Sequence, residues 1–241
     1  MTTRAEASPS ILAMDAAGAA CSAALWRDGR VVAGRFEPMR RGHAERLVPM
    51  IEAVMAEAGA RYADVDRLAV TLGPGGFTGV RIGLATAQGL ALASGRPLVG
   101  VSNFLVLAAA ARTEAPAEGS LAVAIDAKRQ DFYLQIFAAD LRPRGEPRSI
   151  WPEELAEAVP PGPLLLVGDG APQAGPALAA AGRQFRLAAA PAVADAARLA
   201  ELVAADVSGA LAAAPVEPLY LRPPDVTPAG GRTALSGRGR P

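Results

Sequence analysis

The chain has 241 residues, of which 51% are hydrophobic and 20% are charged, and its formal net charge is zero. This length suffices for two lobes of ordinary size. A neutral chain lacks the electrostatic footprint of a nucleic-acid-binding protein. Its one cysteine, Cys21, excludes an internal disulfide. No apolar run is long enough to cross a bilayer and residues 1–10 do not resemble a signal peptide, so we expect a cytoplasmic protein.

Residues 1–112 predict a first lobe made of three meandering strands followed by alternating helices and strands. Residues 11–26 predict a strand, a turn and a second strand, and Arg30 to Phe36 predict a third. Pro49 lies inside the first predicted helix and predicts a kink or a late start. The order βββαβαβα is that of one complete α/β lobe. The remaining predicted elements are helices at 43–59, 78–94 and 102–112 and strands at 67–72 and 98–101.

Residues 113–225 predict a second lobe that repeats this order in abbreviated form. Residues 113–119 read as a linker rich in Pro, Gly and Glu. Residues 226–241 are dominated by Gly, Arg, Pro and Ser, and we predict a disordered tail. The predicted elements of the second lobe are a hairpin at 121–126 and 131–138, a strand at 164–167, a helix at 172–181, and a helix capped by Asp195.

A glycine-rich loop at 72–83 and an aspartate at the end of the first strand are candidates for anion or nucleotide binding. The loop is neither a Walker loop nor a dinucleotide fingerprint. Its amides at a helix start favour an anion, and a turn without a ligand explains the pattern equally well. For the aspartate, a turn-forming role is the simpler interpretation. The candidate residues are Asp15, Gly73, Gly75, Gly76, Thr78 and Gly79.

Few residues elsewhere are candidates for catalysis or metal binding. His43 is the only histidine, so a metal site built on a histidine pair is impossible within the chain. No nucleophile elbow accompanies it. Asp126 has the same ambiguity as the first-strand aspartate, and the turn at 128–131 reads as solvated. We therefore predict no catalytic residue and no metal site.

The first two helices carry apolar or small residues at helical spacing. One face of each helix must pack on its own sheet, and surplus apolar surface marks a partner site. We predict a helix-to-helix interface there, and the alternative is that all of these residues belong to the internal core. The predicted partner-binding residues are Arg46, Leu47, Met50, Ile51 and Val54 of the first helix and Gly83, Ala87 and Ala91 of the second.

Four stretches, 11–15, 41–49, 72–83 and 218–224, together resemble the TsaB (YeaZ) family. The resemblance extends over about residues 10–225, and its most specific part is Gly-Pro-Gly-x-Phe-Thr-Gly-x-Arg-x-Gly at 73–83. It implies an actin-like α/β fold of the sugar kinase, heat-shock chaperone and actin superfamily, with two RNase H-like lobes and a degenerate nucleotide cleft.

The resemblance also implies a function. Such a chain is a non-catalytic scaffold or activating subunit that pairs with the catalytic paralogue TsaD, and the ATPase TsaE joins the assembly. The complex transfers a threonylcarbamoyl group to N6 of adenosine 37 in tRNAs that read codons starting with A. ATP or ADP is expected at the interface of the complex, tRNA only through the complex, and a homodimer when the chain is alone.

One departure concerns a metal. Catalytic members of the superfamily hold it with two histidines four residues apart, and the matching positions here are Asn103 and Leu107. An alternative of a different class is a free-standing actin-like phosphotransferase or glycoprotease-like enzyme, which the glycine-rich loop supports.

Overall fold

The computed structural model describes residues 9–206, 209–212 and 214–222, so the predicted tail at 226–241 lies outside the described residues. In the part of the chain that is described, the strands form two five-stranded sheets, one in each lobe. Helices cover the sheets. This confirms the predicted α/β architecture of two related lobes.

The first sheet has β1 at its centre, in the order β3-β2-β1-β4-β5. The first three strands pair antiparallel, whereas β4 and β5 run parallel to β1. Every residue of β1 is buried, since this strand has a neighbour on each side and cover on both faces. The elements are β1 (Ile11–Asp15), β2 (Ala20–Arg27), β3 (Arg30–Pro38), α1 (His43–Glu57), β4 (Arg67–Thr71), α2 (Phe77–Ser94), β5 (Leu98–Val101) and α3 (Asn103–Ala110).

The helix boundaries follow from local signals. Helix α1 begins at His43 and continues through Pro49, so the predicted late start was wrong. Helix α2 ends at Gly95, whose φ of 66° is the left-handed conformation that glycine adopts without strain. Helix α3 is capped by Ser102, whose Oγ accepts a hydrogen bond of 3.2 Å from the Leu105 amide.

The second sheet repeats the arrangement with β6 at its centre, in the order β10-β9-β6-β7-β8. Strand β6 pairs antiparallel with β7 and parallel with β9, as β1 pairs with β2 and β4. The elements are β6 (Ser120–Asp126), β7 (Phe132–Ala138), β8 (Arg148–Ile150), α4 (Leu155–Ala158), β9 (Leu164–Val167), α5 (Ala171–Ala180), β10 (Arg186–Leu187) and α6 (Ala196–Ala205).

Helix α6 corrects the predicted division of the chain into lobes. The sequence assigned it to the second lobe, yet Leu199 and Val203 pack in one cluster with Ile11 of β1. The Ala196 amide also donates a hydrogen bond of 2.9 Å to Ser22 Oγ of β2. The first sheet needs cover on the face opposite α1 and α2, and α6 returns to supply it. The first lobe is therefore not one continuous stretch of sequence.

Helix α3 lies between the two lobes. Its Val106 packs in the cluster on the first sheet, whereas Phe104 and Leu107 pack in a cluster with Leu121 of β6 and Leu165 of β9. A hydrophobic core therefore joins the lobes. Among the helices of the described residues, none is both long and apolar enough to span a bilayer.

Candidate functional site

Asp15 lies at the carboxyl end of β1 and is completely buried. Its Oδ1 accepts hydrogen bonds from the Thr71 hydroxyl, at the end of the adjacent β4, and from the Ala17 amide at 3.3 Å. Its Oδ2 is buried and has no hydrogen-bond partner among the described residues. The carboxyl group therefore ties two parallel strands and the turn after β1 together.

The environment of Asp15 favours its protonated form. Burial raises the pKa of this carboxyl to about 6, and the charge of Asp195 adds to the rise, while the hydrogen bonds from Thr71 and Ala17 oppose it. A buried carboxylate with an unpaired oxygen is costly, and binding a proton removes that cost.

The glycine-rich loop packs against the turn that follows β1. A Cβ at Gly75 would lie 2.1 Å from the Ala17 carbonyl oxygen, and a Cβ at Gly79 would lie 2.1 Å from that of Ala16. The Gly76 amide donates a hydrogen bond of 2.8 Å to the same Ala17 oxygen. This contact leaves no space for an anion between loop and turn. The Gly76 amide is already used in this contact, so the anion-binding prediction applies only to the exposed side of the loop, at Thr78.

Asn103 and Leu107, at which the sequence analysis predicted the replacement of a metal-binding histidine pair, have structural roles. The Asn103 side-chain oxygen accepts a hydrogen bond of 2.9 Å from the Gly73 amide. The backbone N–H of Asn103 donates a hydrogen bond of 2.8 Å to the Gly73 carbonyl oxygen. Leu107 is buried in the cluster between the lobes. Asn103 thus holds the glycine-rich loop in place, and Leu107 stabilises the contact between the lobes.

Most of the predicted partner-binding residues are internal, which corrects that prediction. Their apolar side chains pack on the first sheet, because a helix buries the stripe that faces its own core first. Small residues on α2 let this helix approach its own sheet, as shown by the 3.6 Å from a Cβ at Gly83 to Val70. The residues concerned are Leu47, Met50, Ile51, Val54, Gly83 and Ala87, which are buried, and Ala91, which is half-buried.

Arg46 is exposed, as a partner-binding residue should be, but it is already paired within the chain. Its guanidinium makes a two-pronged contact with the Glu37 carboxylate of β3, with an Nε to Oε2 distance of 2.6 Å. The hydrogen bond from Arg46 holds the pKa of Glu37 below its usual value. The pair joins the first turn of α1 to the edge strand β3.

The outward surfaces of α1 and α2 form a second, largely apolar face, which we call the α1–α2 face. A groove of about 240 Å³ lies between the two helices. Leu92, at the end of α2, is 88% exposed, an unusual exposure for a large apolar side chain. The groove is lined by Val48, Ile51, Tyr62, Ala85, Thr86, Gly89 and Leu90.

Sequence reasoning missed a polar cluster at the end of the described chain. It placed Asp131 in a solvated turn, but Asp131 is buried and its carboxylate forms an ion pair with Arg222. Ser149 donates a hydrogen bond to the same carboxylate. Just before Arg222, the Leu219 amide donates one of 2.8 Å to the Leu72 carbonyl in the first lobe. The segment 216–222 therefore contacts both lobes.

Comparisons with known proteins agree with this arrangement. A family model described as "TsaD: tRNA N6-adenosine threonylcarbamoyltransferase" matches residues 37–159. The solved structure of YeaZ from Pseudomonas aeruginosa superposes with a TM-score of 0.71 and 32% identity, covering 88% of this chain and 100% of that one. The chain belongs to the TsaB (YeaZ) family. Its fold is accordingly that of the YeaZ structures.

Two curated members of the TsaB family are similar over part of their length. Both are called tRNA threonylcarbamoyladenosine biosynthesis protein TsaB. The Escherichia coli protein is 42% identical over 149 residues, which are 62% of this chain and 61% of that protein. The Haemophilus influenzae protein is 37% identical over 150 residues, 62% of this chain and 63% of that protein. The match thus spans about three-fifths of these curated relatives.

Proposed function

We propose that this chain is a non-catalytic, activating subunit in the formation of threonylcarbamoyladenosine on tRNA, and that it pairs with a TsaD-type catalytic subunit. The observation that carries the proposal is the α1–α2 face. A groove between two helices, with an exposed leucine one helical turn beyond Gly89, is the kind of surface that a partner helix fills. The names of the TsaB relatives and the match to the TsaD family model support the same reaction.

The absence of catalysis in this chain is part of the proposal. At the positions of the paired histidines of catalytic relatives, Asn103 and Leu107 are buried and serve the loop and the lobe contact. We further propose that TsaE joins the pair and that ATP or ADP binds at the interface of the complex rather than within this chain. In the absence of TsaD, the same face would pair with a second copy of this chain.

The experiment is a binding titration between the purified chain and TsaD from the same organism. Leu92→Glu places a charge on the exposed face and should weaken the complex at least about tenfold, since a buried unpaired charge at an interface costs more than 1.4 kcal/mol. The matched control is Leu187→Glu, because Leu187 is also an exposed leucine, at 55%, and lies on β10 of the other lobe.

A second variant tests the groove itself. A Cβ at Gly89 would meet nothing within 4 Å, so Gly89→Arg fits the folded chain and fills the groove. It should abolish pairing while Gly89→Ala retains it. Equal TsaD affinity of Leu92→Glu, Leu187→Glu and the unaltered chain would refute this interface. Steady ATP turnover by the chain alone would favour the free-standing phosphotransferase instead.

A further inference from the structure

The segment 216–222 has one side that packs, half-buried, between the lobes and one side that is exposed. Leu219 and Leu221 pack against the hydrophobic cluster between the lobes. Tyr220, which lies between them, is 38% exposed, and Arg222 makes contacts at the surface of the second lobe. The packing of these half-buried leucines therefore fixes where Tyr220 and Arg222 lie at the surface.

At the first lobe, Tyr220 joins an exposed group of rings around one arginine. Its ring lies 5.3 Å from that of Phe77, with an interplanar angle of 32°. The guanidinium carbon of Arg81 lies 3.7 Å from the Phe77 ring centroid, and Arg81 Nε donates a hydrogen bond of 3.0 Å to Tyr220 Oη. Arg81 forms no ion pair with any residue in the described part of the chain. A fixed guanidinium without a counter-charge is thus held at the surface.

At the second lobe, the pattern of ring and arginine continues. The guanidinium carbon of Arg222 lies 5.8 Å from the Tyr133 ring centroid, and its Nη2 donates a hydrogen bond of 3.2 Å to Ser149 Oγ. Burial lowers the pKa of Arg222, and the positive charge of the nearby Arg129 lowers it further. Arg222 also forms an ion pair with the buried Asp131 carboxylate, which holds its guanidinium near the Tyr133 ring.

We call these two groups, which the segment 216–222 connects, the aromatic–arginine strip: Phe77, Arg81 and Tyr220 on one side, Arg222 and Tyr133 on the other. Rings and guanidinium planes stack with unpaired bases, and the guanidinium charge attracts phosphate. An apolar peptide would leave the charge of Arg81 uncompensated. An acidic peptide would gain nothing from the rings. The chemistry that uses both kinds of group is that of a single-stranded nucleic acid.

We propose that the aromatic–arginine strip is a contact site for single-stranded RNA, and this proposal rests on the proposed function, in which the RNA is a loop of tRNA. The strip begins on the exposed side of α2, where Arg81 is one turn before Ala85 of the α1–α2 face. RNA on the strip would therefore lie beside a subunit docked on that face. The zero net charge of the chain provides no long-range attraction, so the contact is local and weak.

The test is a fluorescence-anisotropy titration of the isolated chain with a labelled single-stranded oligoadenylate of about 12 nucleotides, a length within single-strand site sizes. It is done in about 50 mM salt, where phosphate contacts are strong. Arg81→Ala and Tyr220→Ala should each weaken binding about tenfold, the loss expected for one stacked base. Arg81→Lys keeps the charge but loses the stacking plane, and should fall between them and the unaltered chain.

The matched control is Arg186→Ala, which removes an exposed arginine from β10, at the other edge of the second sheet, and should leave the affinity nearly unchanged. Thermal unfolding of each variant identifies any loss of fold. Because Tyr220→Ala can loosen the segment, a second measurement uses the unaltered chain. RNA carrying 4-thiouridine should cross-link to the peptides that contain Phe77 or Tyr220.

Three results would overturn the proposal: no saturable binding by the unaltered chain, equal affinities of Arg81→Ala and Arg186→Ala, or cross-links only elsewhere. Competition by polyglutamate as effective as that by unlabelled RNA would also overturn it, since charge alone would then explain binding. TsaD pairing is measured separately with the Leu92→Glu variant. Intact pairing together with absent RNA binding would leave the proposed function standing.

Discussion

The two lobes have the same backbone arrangement at their central strands, but the aspartate that ends this strand has different surroundings in each lobe. Asp15 ends β1 and Asp126 ends β6, and each strand has a parallel neighbour followed by glycines and a helix. Asp15 is fully buried and bonded to a hydroxyl. Asp126 is partly exposed and its carboxylate lies 2.8 Å from the ammonium of Lys128, which also approaches Asp169.

This difference shows two ways in which the fold accommodates a carboxylate at the end of a central strand. In the first lobe, burial raises the pKa of Asp15 to about 6 and the proton can neutralise it. In the second lobe, the Lys128 ammonium group lies beside the Asp126 carboxylate and balances its charge. The backbone arrangement that the lobes share, and the surroundings of Asp15 and Asp126 in which they differ, can be tested separately.

The largest expected effect concerns the shared backbone. Gly79→Ala in the first lobe and Gly168→Ala in the second should each lower the free energy of unfolding by at least about 3 kcal/mol, at the upper end of overpacking costs. A Cβ at Gly79 would lie 2.1 Å from the Ala16 carbonyl oxygen, and one at Gly168 would lie 2.2 Å from that of Ala124. Neither backbone oxygen can rotate away. Denaturant unfolding measures the loss.

The control for these variants is Gly89→Ala. A Cβ there would meet nothing within 4 Å, and alanine is preferred over glycine in a helix by about 0.5–1 kcal/mol, so this change should stabilise the chain. If Gly79→Ala were tolerated while Gly168→Ala was not, the first-lobe loop would be free to move and the backbone likeness of the lobes would fail.

Much of this backbone could be predicted from the sequence, because its signals are local. Alternating hydrophobicity, glycines at turns and Asp195 at a helix start predicted most strands and helices within a few residues of their bounds, but not the short elements β8, α4 and β10. The sheet that α6 covers could not be predicted, since neighbourhood along the chain does not determine contacts in space. The ion pair of Asp131 with Arg222 was missed for the same reason.

The partner surface was less predictable than the core, for a physical reason. The strongest helical stripe, which includes Met50 and Ile51, is strong because it is the core of this chain. The residues left for a partner, such as Ala85 and Gly89, are small and give no periodic signal of their own. Exposure in the folded chain, greatest at Leu92, separates the two faces of α2.

The next prediction tests whether burial causes the Asp15 carboxyl group to bind a proton. Asp15→Asn keeps an oxygen that accepts hydrogen bonds from Thr71 and Ala17 and removes the charge. Burial raises the pKa of Asp15 from 3.8 to about 6, so the folded state binds the proton more tightly than the unfolded state does. The stability of the unaltered chain that comes from this proton is therefore present below about pH 4 and lost as the pH rises through 6.

Because asparagine does not titrate, the stability of Asp15→Asn relative to the unaltered chain should increase between pH 4 and pH 7, by up to about 3 kcal/mol. Unfolding in denaturant at a series of pH values measures this difference. Asp195→Asn retains a helix-capping side chain and removes the second charge that raises the pKa of Asp15, so it should reduce the increase. A difference independent of pH would show that Asp15 does not titrate in this range.

The smallest expected effect concerns the cation of the second lobe. Lys128→Met removes the ammonium but keeps a Cβ at a residue whose φ is 60°, so the backbone preference changes little. The Lys128 side chain is 65% exposed, and an exposed ion pair contributes less than about 1 kcal/mol. The free energy of unfolding should fall by that amount at low salt, and the difference should vanish near 1 M salt, where the Debye length is about 3 Å. A loss that matches the Asp15 effect and persists in salt would mean that Asp126 is as strongly desolvated as Asp15. The two lobes would then differ only in which group neutralises the acid, and not in how much the fold depends on it.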